Sequence, residues 1–447
     1  MKKINISTIQ TKKDPKNLWV GEIKITDNIG NKSVLSIDLD ELLSFINFVS
    51  KEVYDFFLIS ASVYGIDRFI ERKSNSVDGW SREINVCFPV HDLTLWNSCK
   101  EDLEKLLSFL TGDYWVVSFR QEISTLPAAA LKSNYTGVFE QVNLFSGGLD
   151  SLIGAIDFLK LNPSKKILFA SQYDSQMHGP KGDQNKLIPK LQMLYPLQFE
   201  FIPSVEVFLK ESELARETTF RSRSILFIGL ALVSAQAIKT RKIIVPENGT
   251  VSLNYPLSSS RRSSCSTRTT HPFVIETVSS IWKKLSINTE IENPYEFKTK
   301  GEMVSECSDK TSLLSLIKDS NSCGKRGHRA HWEPGKKDAS HCGVCMPCVY
   351  RQAGLNDVND ESTYGNSINN LFPDREKSKM ARDVNSMLEF LSKKLTDQEI
   401  KQELIVNGVK NLTKLNEYVG IVSRTRKELK KWVKKVGNSY VKNKAGV

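Results

Sequence analysis

The sequence predicts an α/β fold, a parallel sheet with helices on both faces, preceded by an α+β module and followed by a helical tail. Three observations carry this. An apolar run, Val142 to Phe145, leads through Ser146-Gly147-Gly148 into apolar residues at helical spacing, Leu149, Leu152, Ile153, Ile156 and Leu159. From Val142 to about Asp309 strand-like and helix-like stretches alternate, the signature of a parallel sheet. Late in the chain a cysteine cluster promises a metal clamp in a loop that has little core of its own.

The strand, glycine turn and helix at 142–159 form one unit. Adjacent glycines admit backbone conformations closed to other residues, so successive N–H groups can point into a concavity at a helix N-terminus, where the dipole favours an anion. This is a phosphate cradle, and it is not a Walker loop, because no G-x-x-x-x-G-K-[ST] run occurs in the chain. A plain glycine-rich turn in an ordinary α/β domain is the alternative.

At 447 residues, with 40% hydrophobic and 25% charged residues, the chain can build two or three domains, and nothing in the composition suggests wholesale disorder. The N-terminal sequence lacks the apolar core of a signal peptide, and the run Ile225 to Ile238 is too short and polar for a bilayer, so a cytoplasmic protein is expected. Eight cysteines are too few for a disulfide scaffold. The net charge of +11 suits nucleotides, nucleic acid or an acidic protein face. Much of the excess lies between Arg424 and Lys444, where a solvated helix face and a polyanion site are both open readings.

Residues 1–137 read as a mixed accessory module. Trp19 to Ile25, Val34 to Leu39, Ile84 to Phe88 and Trp115 to Phe119 are expected strands. A helix carries Leu103, Leu106, Leu107 and Leu110, and Glu41 to Tyr64 is helix with a strand-like alternative. Asp67-Arg68, Asp78 to Arg82 and Thr111 to Trp115 offer either structural turns or a recognition face, and Pro127 to Thr136 links to the next domain.

In the central region the expected strands are Lys166 to Ala170, Gln198 to Ile202 and Ile243 to Val245. The expected helices are Gln184 to Tyr195, Ser224 to Lys239 and Pro272 to Leu285. Ligands of such sheets sit beyond the C-terminal strand ends. Arg221 and Arg223 open the long helix and could offset charge on a departing pyrophosphate. Glu247, Asn248 and Tyr255 provide the edge hydrogen bonds and stacking face a planar heterocycle needs. Arg261, Arg262, Arg268 and His271 sit in a polar loop able to close over an anion, His178 is a further turn residue, and Lys300 starts a short helix.

Cys342, Cys345 and Cys348, with Cys323 upstream, fit tetrahedral zinc, and an iron–sulfur cluster uses the same number of thiolates. Structural zinc is preferred because no redox partner site is suggested, with Cys307, His328, His331 and His341 as reserve ligands. Beyond them, Val384, Met387, Leu388, Leu391 and Leu395 form one apolar stripe, and Leu412, Leu415, Val419, Val422, Leu429, Val433 and Val436 another. These either pack back onto the domain or face a partner.

The Ser-Gly-Gly-x-Asp-Ser spacing at 146–151 resembles the pyrophosphate (PP) loop of the ATP pyrophosphatases, an adenine nucleotide α-hydrolase-like fold. With Arg223, Glu247-Asn248, Tyr255-Pro256, Thr299-Lys300, the four cysteines and Arg351, the chain from Val142 to about Leu355 resembles the 7-cyano-7-deazaguanine synthase family, QueC. Its enlarged layout resembles that of the QueC-like proteins of bacterial anti-phage systems, both the QatC type and those of type IV CBASS, which share the Thr-Arg-Thr-Thr-His-Pro stretch at 267–272.

The resemblance implies a PP-loop domain over 138–355 with a zinc site at 323–348, and a basic helical region over 356–447. It implies ATP bound through Leu144, Phe145, Ser146, Gly147, Gly148, Leu149, Asp150 and Ser151, with Ser171 and Tyr173 near the adenine. Ser146, Asp150, Ser151, Arg223 and Lys300 would be catalytic, and Arg221, Glu247, Asn248, Tyr255, Arg268 and His271 would bind substrate. ATP, Mg2+ and structural Zn2+ are the implied cofactors. The implied reaction adenylates the carboxylate of 7-carboxy-7-deazaguanine and passes the acyl group to a nitrogen nucleophile, in defence an amine of a partner protein encoded nearby.

Departures from the family concern the product. The Cys323 to Cys342 gap is long, and the turn after the second strand lacks the family's Gly-Gln-Arg-His run. Housekeeping-type nitrile synthesis, a tRNA-modifying PP-loop enzyme and a non-catalytic nucleotide-binding scaffold remain alternatives.

Overall fold

The computed structural model describes residues 2–43, 49–126, 137–175, 179–202, 205–210, 212, 215–258, 268–371 and 381–447. The linker at Pro127 to Thr136, His178, Arg261, Arg262 and Thr267 lie outside the described residues. The strands are β1 (Lys2–Ile6), β2 (Gln10–Lys13), β3 (Trp19–Asp27), β4 (Lys32–Asp38), β5 (Glu83–Val90), β6 (Tyr114–Gln121), β7 (Phe139–Leu144), β8 (Lys166–Ala170), β9 (Gln172–Tyr173), β10 (Phe199–Phe201), β11 (Val205–Lys210), β12 (Lys242–Ile244) and β13 (Glu290–Glu292).

The expected parallel sheet is present, in the order β10-β8-β7-β12-β13, with every neighbouring pair parallel. Alternation along β8 decides its two faces. Leu168 and Ala170 join one apolar core with the helix Arg223–Ala237, whereas Ile167 and Phe169 join another with the helices Leu149–Leu161 and Pro180–Leu194. Arg223–Ala237 is apolar nearly all round because it is buried on every side. It crosses the helix Lys51–Phe69 where Gly229 meets Ser60, and a Cβ at Gly229 would lie 2.9 Å from Ser60.

The second sheet, order β6-β5-β1-β3-β4-β11-β9 with β2 on β3, mixes parallel and antiparallel pairs. Its last two strands come from the stretch expected to belong wholly to the parallel sheet. The chain leaves that sheet after β8 to form β9, and again after β10 to form β11, which pairs antiparallel with β4. Residues 2–126 and the central region therefore share one hydrophobic core, running from Ile4 and Phe57 to Leu144 and Ile228. Each large aliphatic side chain so buried contributes about 1.5–3 kcal/mol.

The stretch expected as helix from Glu41 to Tyr64 is helical at Asp40–Leu43 and again at Lys51–Phe69, where Ser50 caps the N-terminus. The helix Leu93–Thr111 buries the expected leucines, starts on the Asp92 cap and stops at Gly112, whose φ of 72° is left-handed.

Both tail stripes pack back onto the domain. The helices Ala381–Ser392 and Leu415–Val436 bury Val384, Leu388, Val422 and Leu429 in one core with Cys342, Cys345 and Cys348. Leu412 is exposed and takes no part. Among the described residues no helix is long and apolar enough to cross a membrane.

Candidate active site

The site begins where β7 ends. Phe145 N–H donates to the Ala170 carbonyl (2.9 Å), holding the turn to the neighbouring strand. Gly147 has a φ of 81°, and a Cβ there would lie 3.0 Å from the Asp183 Cβ, so conformation and space both select glycine. The Gly147 carbonyl accepts from Asn321 N–H at 2.9 Å. Gly148 then opens the helix Leu149–Leu161 without any side-chain cap. Ser146 Oγ accepts from Gly148 N–H (3.3 Å), and Ser151 Oγ donates to the Gly148 carbonyl (3.0 Å). Main-chain donors at a helix N-terminus without a side-chain cap are a geometry that suits an anion.

Asp150, in the first helical turn, is the junction of three loops. Lys300 Nζ lies 2.5 Å from Oδ1, and Asn248 Nδ2 donates to Oδ2 at 2.6 Å. Asn248 is fixed because it caps the helix Gly249–Leu253 through Val251 N–H (3.1 Å). Lys300 is fixed because Thr299 and Glu302 form a capping box around the start of its helix. Glu247, next to Asn248, is buried and accepts a hydrogen bond from Thr270. Burial, reinforced by the Asp150 charge, pushes its carboxyl up to about 7.

These groups line a cleft of about 790 Å³. It lies beyond the C-terminal ends of β7 and β12, the point where the order of the parallel sheet reverses. Of the residues singled out in the sequence, Ser146, Gly148, Leu149, Asp150, Ser151, Arg223, Glu247 and Lys300 line it, with Gly147 in its turn and Asn248 behind Asp150. Leu144 and Phe145 bury their side chains in the core, which leaves only their main chain for a nucleotide.

Other expected site residues are placed elsewhere. Ser171 is buried and donates to Gln184 Oε1 (3.3 Å), and Tyr173 donates to Glu206 on the second sheet (2.7 Å). Arg221 stacks on Trp80, its guanidinium 4.2 Å from the ring centre. Arg268 stacks on Phe109 and donates to its carbonyl at 2.9 Å. His271 is buried against Phe109 and caps the helix Pro272–Lys284 through Nδ1, and burial pulls its pKa down to about 3, which keeps it neutral. Tyr255 lines a small apolar pocket with Phe390 and Tyr350.

The cleft also holds residues that the sequence does not assign to the nucleotide or acid site, although Arg68 falls in a possible recognition face and Cys323 and His328 are metal-ligand candidates. Arg68, Arg216, Thr218 and Phe220 form one wall, and Asn321 to His328 with Asp183 another. Arg326 makes a two-pronged ion pair with Asp183 (2.6 and 2.9 Å), tying the cysteine loop to the helix Pro180–Leu194. Its position between glycines 324 and 327 was the available signal.

Cys323, Cys342, Cys345 and Cys348 bring their sulfurs within 4.8 Å of one another. A ZnS4 tetrahedron with 2.3 Å bonds has edges of about 3.8 Å, and Cys342 and Cys348 lie at that spacing, 3.8 Å. Main-chain N–H groups of Lys325, Cys342 and Cys345 point at the sulfurs, as around bound thiolates. The four sulfurs form a cluster that would hold a structural zinc ion. The reserve ligands are not part of it: Cys307 is in a separate core, His328 and His331 are exposed, and His341 turns Nδ1 to Ser340 Oγ (2.8 Å).

The long tail helix buttresses the same loops. Thr425 bonds Thr250 (2.5 Å), Arg424 pairs with Glu302 (2.6 Å), and Glu428 is turned inward to accept from Thr299. The basic residues nearby find local partners, Lys431 with Asp357 and Lys435 with the Asn356 carbonyl.

No curated protein matches the chain. Residues 200–359 match the family described as "QueC: Queuosine biosynthesis protein QueC". The matched stretch begins after the glycine turn and includes the Arg223 helix, Glu247, Asn248, Lys300 and all four cysteines. Fold, cleft and family match together support an ATP-dependent PP-loop ligase mechanism in general. A QueC-like PP-loop domain is present over part of this chain.

Proposed function

We propose that the chain is an ATP-dependent carbon–nitrogen ligase that adenylates the carboxylate of 7-carboxy-7-deazaguanine and transfers the acyl group to a nitrogen nucleophile. In anti-phage defence, within the cytoplasm, that nucleophile is an amine of a partner protein, and the product is an amide-linked deazaguanine. Residues 138–355 are the catalytic domain, with 1–137 and 356–447 as accessory regions. The observation that carries the reading is Asp150, held by Lys300 and Asn248 at an uncapped helix N-terminus inside the cleft.

A free carboxylate resists amines because its leaving group would be oxide. A carboxylate oxygen attacks the α-phosphorus of ATP, the bond to the β-phosphate oxygen breaks, and diphosphate leaves. The amine nitrogen then attacks the acyl carbon, and the C–O bond breaks with its electron pair leaving on AMP. Main-chain amides at 146–149 hold the diphosphate, and Lys300 and Arg223 offset its charge. Asp150 is the carboxylate that would hold the magnesium ion, which supplies charge neutralisation on the phosphates. Glu247, close to neutrality at about 7, is the cleft group suited to take the proton the amine loses.

Incubation of the full chain with ATP, magnesium, 7-carboxy-7-deazaguanine and its genomic neighbour proteins tests this, with nucleotides and protein masses followed by mass spectrometry. AMP, diphosphate and a deazaguanine-sized mass increase on a neighbour are expected. Free nitrile made only with ammonia would point to the housekeeping-type reaction, and absence of AMP with every acid tried would sink the ligase reading.

A further inference from the structure

The helix that carries Lys300, Lys300–Ser305, has six residues, and an isolated helix of that length is unstable in water. Its position therefore comes from what surrounds it. The Lys300 stem lies against the helix Met346–Gly354, where a Cβ at Gly354 would stand 2.9 Å from Lys300 Cγ, and only 6% of the Lys300 side chain is exposed. Further support comes from the tail helix Leu415–Val436. Its apolar residues Val422, Leu429 and Val433 pack it into the core that holds the cysteines, and a separate row of polar side chains adds register rather than burial.

That row grips residues 296–302. Tyr418 donates to Glu296 Oε1 (2.5 Å), Lys414 Nζ to its Oε2 (3.0 Å), and Arg424 to the Phe297 carbonyl (2.9 Å). Glu428 ends the row at the first turn of the Lys300 helix, where its carboxylate accepts from the Thr299 hydroxyl and from Gly301 N–H. A hydroxyl has one proton, so donating it to Glu428 leaves the Thr299 lone pairs for Glu302 N–H (3.2 Å), and the tail carboxylate thereby orients the cap. Gly301 permits the approach, because a Cβ there would lie 2.5 Å from Glu428 Oε1. Burial pushes the Glu428 carboxyl up, so the acid sits there against its own hydration and is held by these donors. The family match ends at residue 359, and the whole row lies beyond it.

We infer that Glu428 is a positioning residue: it fixes the start of the Lys300 helix and so holds the Lys300 ammonium on Asp150 in the cleft. The C-terminal region is thereby part of the active-site framework. That the ammonium so held acts on departing diphosphate rests on the proposed ligase reading.

The test is brief labelling of lysines with an amine-acylating reagent, read peptide by peptide by mass spectrometry, in the full chain and in its Glu428→Ala, Glu428→Gln and Leu429→Ala variants. Thermal midpoints and diphosphate release with ATP, magnesium and 7-carboxy-7-deazaguanine are followed alongside. Labelling of Lys300 is expected to rise about fivefold in Glu428→Ala, the size of effect that losing a helix cap has on a local equilibrium. Glu428→Gln should stay near the parent, since its amide oxygen keeps the reach and accepts from both donors. In Glu428→Ala, kcat should fall about tenfold with KM for ATP unchanged, as when a displaced group is missed only in the transition state. Leu429→Ala opens a cavity on the apolar face of the same helix, and should lower the midpoint while leaving Lys300 labelling and turnover near the parent's. Should Glu428→Ala not fold, Glu428→Asp, which keeps the charge but falls one carbon short, carries the same expected direction. Unchanged Lys300 labelling, an equal rise in Leu429→Ala, or a rise with turnover intact would each overturn the assignment. Failure of the ligase reading is separate: Lys300 would still become reactive in Glu428→Ala, yet the parent chain itself would form no AMP.

Discussion

The two walls of the cleft are built differently. The glycine-turn wall is short-range and main-chain: Gly147 in the left-handed region, Gly148 opening a helix, and Ser146 and Ser151 bonded within six residues of each other. The arginine wall is long-range and side-chain. Its anchor is a buried knot in which Arg72 and Arg82 pair with both Asp67 and Asp113, and the far oxygen of Asp67 holds Ser222. Burial alone would raise the Asp67 carboxyl, yet Arg82 and Arg72 hold it down to about 2. A backbone turn can be specified by a few adjacent residues, whereas a wall made of distant side chains exists only once both sheets have closed on one core.

The largest effect should come from breaking the knot. Asp113→Ala leaves two buried guanidiniums short of a partner and should lower unfolding free energy by about 3–5 kcal/mol in denaturant titrations. Unchanged stability would mean the arginine wall is as local as the glycine wall. On the other side, Lys300→Ala should leave the fold intact and reduce diphosphate release by roughly 100- to 1,000-fold, as for a lost transition-state donor. A loss of stability without loss of turnover would reverse the roles assigned to the two walls.

Glu247 sharpens the contrast through pH. Its carboxyl keeps the proton up to about 7 in the folded chain, against 4.5 for an unperturbed glutamate, so between those values the folded state binds more protons than the unfolded. Stability should therefore fall as pH rises through that window, and Glu247→Gln should flatten the profile by at most about 3 kcal/mol. The smallest change concerns the tail buttress. Thr425→Val removes the partner of Thr250 behind the cleft and should cost about 1–2 kcal/mol, read as a lower thermal midpoint.

The alternation of strand and helix, the glycine turn and the cysteine spacing were legible because each is written in neighbouring residues. Asp150, Lys300 and Glu247 were legible as well, since each follows a recognisable strand end or cap. Arg68 was legible only as part of a stretch open to a turn or a recognition reading, and Arg326 only through the glycines at 324 and 327. One sits on a helix buried almost all round and the other in the cysteine loop, so what each faces is decided by distant residues. Conversely, Tyr255 and His271 have the right chemistry beside the right strand, but tertiary packing turned one into an apolar pocket and the other into a helix cap.

By itself the sequence determined the parallel sheet, the glycine turn that opens a helix and the four-sulfur cluster, because backbone conformation, helix periodicity and ligand spacing are local properties of the chain. Only the tertiary structure decided that β9 and β11 join the N-terminal sheet, that the long tail helix braces Thr250 and Thr299, and that Arg68 and Phe220 complete the cleft. Apart from the β9–β11 pair, those contacts link residues more than a hundred positions apart, and their energy comes from burying shared apolar surface rather than from any signal in the adjoining sequence.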